Sequence, residues 1–104
     1  SSKDDTPRES AGTSTTDQRR QRAEQRAALG PLKKKIAELE AQMARFTDLI
    51  EKADAMLAQP DTFTKNPERA QQIARDRAAL AARLAEAEET WLEASSAYET
   101  ALAG

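Results

Sequence analysis

The sequence contains no cysteine and no histidine among its 104 residues. These absences exclude disulfides, thiol nucleophiles, the usual zinc-ligand sets and imidazole acid–base chemistry. No glycine-rich phosphate loop and no nucleophile with an adjacent base can be recognised either. The sequence therefore predicts a chain that is not an enzyme in its own right and that holds no cofactor or metal.

Valine is also absent, and only four residues are aromatic. Residues that favour β-strands are therefore few. Ala, Glu, Gln, Arg and Leu, which favour helices, dominate after residue 17. With 33% charged residues the chain can build only a thin core. No apolar run approaches the roughly 20 residues that span a bilayer, and no signal pattern opens the chain. We expect an all-α, cytoplasmic protein without a membrane partner.

Residues 1–16 are rich in Ser and Thr and contain no apolar residue larger than alanine. Such a segment buries too little surface to offset the entropy of ordering, so residues 1–16 are predicted to be a disordered linker before a domain at 17–104. From Asp17 onwards Arg, Gln and Ala predict a short basic helix. Gly30 and Pro31 should kink or end it, because Pro31 lacks an N–H and clashes with the preceding turn.

Two later segments carry apolar residues at alternating intervals of three and four, the pattern of a heptad coiled coil. Between the segments, Pro60 ends one helix, while Asn66 and Pro67 provide the N-cap and first position of the next. The short connection predicts a two-helix antiparallel coiled-coil hairpin. The first stripe is Leu29, Leu32, Ile36, Leu39, Met43, Phe46, Ile50, Ala53 and Leu57; the second is Ala70, Ile73, Arg77, Leu80, Leu84, Ala87, Trp91, Ala94, Tyr98 and Ala101.

The preferred register sets large side chains against small ones, for example Met43 on Ala87, and lays Arg77 over Ala53 with its head reaching water. A shift of one heptad would instead place Arg77 on Phe46. Because each stripe covers the other, the hairpin is predicted to be monomeric.

The aromatic residues are interpreted as packing residues. Phe63 is expected to fold back over the hairpin tip. Trp91 and Tyr98 lie in the second stripe, so packing is favoured over a base-stacking role.

Charge is distributed unevenly along the chain. Residues 17–35 carry seven Lys or Arg against two acids, whereas residues 36–104 carry seven against thirteen. The basic segment could neutralise phosphates of a nucleic acid. The alternative is that its cations pair with the acids of residues 86–99, which the register brings alongside, and charge alone does not decide between them. The candidate phosphate contacts are Arg19, Arg20, Arg22, Arg26, Lys33, Lys34 and Lys35.

Four carboxylates also cluster on the second helix. Such a run on an exposed helix is usually a solvated face, so a metal site is disfavoured. The four are Glu86, Glu88, Glu89 and Glu93.

Three segments together resemble a known family. They are the proline-led run 31–40, the aromatic-bearing turn 59–68 closed by Pro67, and the segment 88–93 with its Trp-Leu-Glu. Over residues 18 to 102 the chain resembles the C-terminal coiled-coil domain of ABC-F proteins, which are twin-cassette ATPases.

The resemblance implies an appendage of a larger protein, with residues 1–16 as the interdomain linker. ATP and magnesium would bind only in the cassettes, which are absent from this chain. It also implies cytoplasmic action on ribosomes during translation, and binding of DNA or structured RNA by the domain. The leading hypothesis is a non-catalytic nucleic-acid-binding appendage. The alternative is a protein-interaction coiled coil that docks on the parent ATPase or on a partner protein.

Overall fold

Three helices form the protein in a computed structural model that describes the backbone of residues 2–104 and the side chains of residues 15–104. Helix α1 is Ser2–Leu57, α2 is Pro60–Lys65 and α3 is Pro67–Ala103. α1 and α3 pack against each other in opposite directions, and the molecule measures 92 × 16 × 14 Å. The predicted all-α class is confirmed, and the two long helices form a hairpin.

The core consists mainly of alanines from α3 that lie beneath larger side chains of α1. Ala70 is completely buried, and Ala87 and Ala94 each keep only 6% of their surface. Leu39 is the one large side chain that is buried among the described residues, at 8% exposure. All the buried side chains belong to the two stripes predicted from the sequence. Half-buried residues complete the cluster around Leu39, namely Ile36, Met43, Phe46 and Trp91.

Two side-chain contacts between the helices establish their register. The guanidinium of Arg77 binds Asp54, with Nε 2.6 Å from Oδ1 and Nη2 3.3 Å from Oδ2. Nearer the open end of the hairpin, Trp91 Nε1 donates to Glu40 Oε2 at 3.2 Å. These contacts agree with the preferred register and not with the shift of one heptad. The head of Arg77 reaches a carboxylate on the neighbouring helix rather than water alone.

The connection between the long helices contains the short helix α2. Pro60 occupies the start of α2. The carbonyl of Met56, near the end of α1, accepts hydrogen bonds from Thr62 Oγ1 at 2.6 Å and from Gln59 N at 3.3 Å. The side chain of Asn66 accepts a hydrogen bond from Arg69 N at 3.3 Å, and Pro67 follows at the start of α3. The predicted N-cap at Asn66 is therefore confirmed.

Phe63 does not fold back over the tip of the hairpin. Half of its surface is exposed. Since residues 60–65 are helical, Thr62 faces inwards and is half-buried, and the next residue is turned about 100° away from it. The expectation of an aromatic anchor at this position was wrong.

The basic segment is not a separate helix, because α1 runs without interruption through Gly30 and Pro31. Gly30 has no Cβ to clash with the proline ring, and its φ is not positive. Pro31 and Ala27 are exposed, so water can reach the carbonyl of Ala27 that a proline at position 31 leaves without its helical donor. The helix is also held on either side of the proline by half-buried Leu29 and Leu32.

The disordered linker predicted at residues 1–16 lies almost wholly outside the residues whose side chains are described. It stays a prediction, as does the division of the chain at residue 17. The monomeric state also stays a prediction.

Replacing Leu39 by Ala should lower the free energy of unfolding by about 2–4 kcal/mol, because it leaves a cavity beneath Ala87 and Ala94. Chemical denaturation followed by circular dichroism measures the change. Leu92→Ala is the matched control, since Leu92 is 61% exposed and its truncation should cost less than about 0.5 kcal/mol. Equal costs for the two variants would contradict the assignment of the core.

The ion pair between Asp54 and Arg77 gives a prediction about pH. The hydrogen bond from Arg77 lowers the pKa of Asp54 below its ordinary range. The folded state therefore binds fewer protons than the unfolded state near pH 4, and stability falls as acid protonates the carboxylate. Asp54→Asn should melt at a lower temperature than the parent at pH 7, and the difference should shrink as the pH falls below the ordinary pKa of an aspartate, because the Asp54 carboxylate of the parent then becomes protonated.

The control for that variant is Asp48→Asn. Asp48 pairs with Lys52 on the same helix at 3.1 Å, and both side chains are more than half exposed. Loss of such a surface pair has little effect on stability. A difference between Asp54→Asn and the parent that is independent of pH would contradict a role for the ionised carboxylate.

Candidate nucleic-acid interface

The two long helices are unequal in length, and α1 extends beyond the end of α3. Gly104, which follows α3, lies so close to the side chain of Gln25 that a Cβ at position 104 would collide with it. Residues 15–24 of α1 therefore have no partner helix among the described residues, and all of them are exposed. We call this segment the α1 extension.

The α1 extension is polar where a coiled coil would need apolar residues. The heptad positions that precede Leu29 are occupied by Gln25, Arg22 and Gln18. A stripe of this kind does not require a second helix to cover it. The α1 extension can therefore remain exposed to solvent and present its side chains to a polar partner.

Four of the candidate cations line one side of α1. With about 100° between successive residues and a rise of about 1.5 Å, they fall within roughly 60° around the axis and span about 21 Å along it. We call this set the basic ribbon: Arg19, Arg22, Arg26 and Lys33.

The remaining three candidates are placed differently. Lys34 lies next to the basic ribbon, whereas Arg20 is about 130° around the axis from the middle of the ribbon and Lys35 is on the opposite side of the helix by the same geometry. One flat surface could therefore contact the ribbon with Lys34 at its edge, but it would not reach Arg20 or Lys35. From the sequence alone, all seven cations were expected to form one basic patch. Because α1 is one continuous helix, the seven do not share one side of it.

None of the seven cations forms an ion pair or a side-chain hydrogen bond with another described residue, and all seven are exposed. In particular, no cation of the basic ribbon lies within 4 Å of a carboxylate of α3 in the described part of the chain. The ion pairs that are formed lie elsewhere, for example between Lys65 and Asp61 at 3.3 Å. The structure thus gives no support to pairing between the basic segment and the acids of residues 86–99.

Apart from the basic ribbon, the open end of the hairpin has a groove on its other side. Its volume is about 770 Å³, and its lining includes Ala28 and Leu32 from α1 with Leu92 and Ala97 from α3. Glu93 lies at its edge. The two sides of the hairpin therefore differ, since one is basic and the other is apolar with an acidic margin.

Among residues 15–104, no three His, Cys, Asp or Glu side chains are arranged to hold a metal ion. The carboxylates of residues 86–93 therefore form no such group. None of the described helices has the length and apolarity that crossing a membrane requires.

Comparison with known protein families gives a match over most of the chain. The family model described as the ABC transporter C-terminal domain matches residues 18–96. This chain belongs to the ABC transporter C-terminal domain family. The matched range covers most of the hairpin and also the segment from Gln18 to Arg26, so the basic ribbon is part of the family domain rather than of a preceding linker. Neither a curated protein nor a solved structure gives a significant match.

As an ABC transporter C-terminal domain, the chain is a non-catalytic appendage of an ABC protein. Nucleotide binding would belong to the cassettes of that protein. At the open end of the hairpin, the described residues combine exposed cations on a protruding helix with a groove beside them.

Two acidic residues that fix the packing of α3 against α1 were not identified from the sequence. Asp54 holds Arg77, and Glu40 holds the indole N–H of Trp91, so both set the position at which α3 ends against α1. Each acid immediately follows a core layer of the first stripe and lies opposite its partner in the preferred register. Flanking positions of a heptad often carry such charges, and this signal was available in the sequence.

Proposed function

We propose that this domain binds nucleic acid through the basic ribbon, as the C-terminal appendage of an ABC-F ATPase. The observation that carries the proposal is the row of unpaired, exposed cations along about 21 Å of one helix. Protein cations that are not neutralised internally are free to replace the counterions of phosphates. The ligand is DNA or ribosome-associated RNA, held by charge and shape rather than by base sequence.

The position of the ribbon supports this function. Among residues 15–104 no second helix lies beside Arg19 and Arg22, so a duplex or a strand can approach these two exposed arginines without displacing any of those residues. Further along α1, Arg26 and Lys33 continue the same side next to the end of α3. Phosphates that bind the extension would thus meet further cations as they approach the hairpin.

The ABC-F assignment rests on the resemblance of three segments and is compatible with the family match. It places the domain in the cytoplasm, after the second cassette of its parent, in a protein that acts on ribosomes during translation. The parent cassettes are a second partner, since the domain is tethered to them. In this arrangement the appendage anchors the ATPase to nucleic acid, while ATP hydrolysis takes place in the cassettes.

A protein-interaction role is the second candidate, and one observation favours it. Leu92 is 61% exposed and lies beside a groove whose edge includes Glu93. Leu92 continues the apolar lining that Leu32 and Ala97 contribute, and contiguous exposed apolar surface is a feature of contact sites. This side of the hairpin could dock on the parent cassettes or on another protein while the basic ribbon remains free.

Changing the four arginines of residues 17–26 to Gln should weaken binding of duplex DNA and of a structured RNA without unfolding the hairpin. Each lost phosphate contact lowers the slope of log affinity against log salt by about 0.7–0.9. The variant should therefore show a clearly flatter salt dependence. Fluorescence anisotropy at several salt concentrations measures both quantities for Arg19, Arg20, Arg22 and Arg26 changed together.

A matched control removes the same charge from the paired part of the hairpin. Arg45, Arg69, Arg75 and Arg83 are exposed, and their change to Gln should leave most of the salt slope intact. In a third variant, Glu86, Glu89 and Glu93 are changed to Lys, which should strengthen non-specific binding by enlarging the positive field. If the two Gln variants bind alike, the basic ribbon has no special role. Loss of a protein partner in the Lys variant would favour the interaction role.

A further inference from the structure

A cleft lies between α1 and α3 beside the last cation of the basic ribbon. Its volume is about 370 Å³, and Lys33, which belongs to the ribbon, forms part of its wall. Tyr98 and Glu99 contribute from α3, and both lie beyond the residues that match the family. Two of the residues that line the cleft thus lie outside the matched range.

The lining of the cleft combines an apolar base with a polar margin. Ile36 and Ala37 supply aliphatic surface, and the ring of Tyr98 is half-buried. Ser95 and Glu99 bring a hydroxyl and a carboxylate to the margin. Apolar surface with a few polar groups at its edge is typical of sites for small planar ligands.

The two aromatic residues of α3 differ in whether their polar groups form hydrogen bonds. Trp91 packs against the core around Leu39 and donates its N–H to Glu40. Tyr98 is outside that cluster, and its hydroxyl has no hydrogen bond with another described residue. Tyr98 is thus the aromatic ring that remains available to a ligand at the basic end of the hairpin.

We propose that this cleft accepts one unpaired nucleobase of the nucleic acid that the basic ribbon holds, with the base against the ring of Tyr98. The inference rests on the proposed function, because the phosphates on the ribbon bring the base to the cleft. Arg26 and Lys33 are seven residues apart, about 10 Å along the helix, and so hold phosphates near the mouth of the cleft. Unpaired bases that stack on aromatic side chains are a general mode of single-strand recognition.

The margin of the cleft also selects among bases. The carboxylate of Glu99 only accepts hydrogen bonds, and so does the oxygen of Glu40 that Trp91 leaves free. Exocyclic amino groups of cytosine, adenine or guanine can donate to these oxygens, whereas thymine and uracil present mainly carbonyl acceptors. The cleft therefore prefers a base that carries an amino group.

The test uses three DNA ligands with the same double-stranded stem: one with a cytosine loop, one with a thymine loop, and one blunt duplex. Tyr98→Leu should weaken binding of the cytosine loop by about fivefold or more, the lower end of the effect of losing one base–aromatic stack. Binding of the blunt duplex should not change. Tyr98→Phe keeps the ring and should bind all three ligands like the parent. Equal effects of Tyr98→Leu on loop and duplex would overturn the proposal.

A second variant tests base selection and does not depend on packing by Tyr98. Glu99 is exposed, so Glu99→Gln should fold normally, and its amide can donate to thymine as well as accept from cytosine. The ratio of affinities for the cytosine and thymine loops should fall toward one. An unchanged ratio, or no preference in the parent, would overturn the proposal even if Tyr98→Leu failed to fold.

The outcomes separate this inference from the proposed function. If all three ligands bind the parent equally and lose affinity alike when the four arginines become Gln, the basic ribbon binds nucleic acid but the cleft does not bind a base. If neither these ligands nor the structured RNA binds the parent, both the proposed function and the nucleobase cleft are wrong. If only the structured RNA binds, the proposed function stands and the cleft, as a site for these DNA bases, is wrong.

Discussion

The close contact that alanine permits between α3 and α1 is the constraint on which the rest of the structure depends. Ala87, Ala94 and Ala101 recur every seven residues and are buried, so the backbone of α3 can lie near the larger side chains of α1. A core of this kind needs few aromatic and branched residues, which explains how a chain with 33% charged residues forms a stable pair of helices.

Alanine layers alone do not choose between registers that differ by one heptad, because the same small residue recurs after each shift. The pair of Arg77 and Asp54 provides the distinction. A shift would remove Arg77 from its carboxylate and press it against Phe46, which would leave a charge against an apolar surface without a partner. Polar residues at single core layers of coiled coils often specify register in this manner.

The register determines where function can reside. It ends α3 beside Gln25, and in the described part of the chain the α1 extension continues past that end, so that the basic ribbon begins outside the hairpin and ends at its open end. It also places Tyr98 level with Lys33, at the cleft between the helices. The proposed nucleic-acid interface thus follows from the unequal lengths of α1 and α3 and from the register in which the two helices pack.

Much of this arrangement could be predicted from the sequence. The two stripes, the N-cap at Asn66 and the side of α3 that is buried all follow from heptad spacing and local helix signals, which depend on few long-range contacts. The path through Gly30 and Pro31 could not be predicted in the same way. Proline normally interrupts a helix. Continuity here depends on the partial burial of Leu29 and Leu32 on either side of Pro31 and on the exposed position of Ala27, whose carbonyl lacks its helical donor.

The site was predictable in composition but not in shape. The seven cations were evident from charge, yet their division into a ribbon of four with Lys35 on the opposite side depends on one uninterrupted helix. Phe63 was predicted incorrectly. A lone aromatic residue in a turn was expected to be buried, but the short helix α2 turns Phe63 outwards.

The central claim is that α1 continues as one helix past the end of α3 and carries the basic ribbon with it. The chain has no native cysteine, so Gln18 and Glu51, both exposed, can be changed to Cys and spin-labelled without other substitutions. Electron–electron distance measurement should give a single narrow distribution near 50 Å, from 33 residues at about 1.5 Å each. A broad distribution, or one centred well below that distance, would show that α1 breaks at Gly30 and Pro31 and would contradict the account.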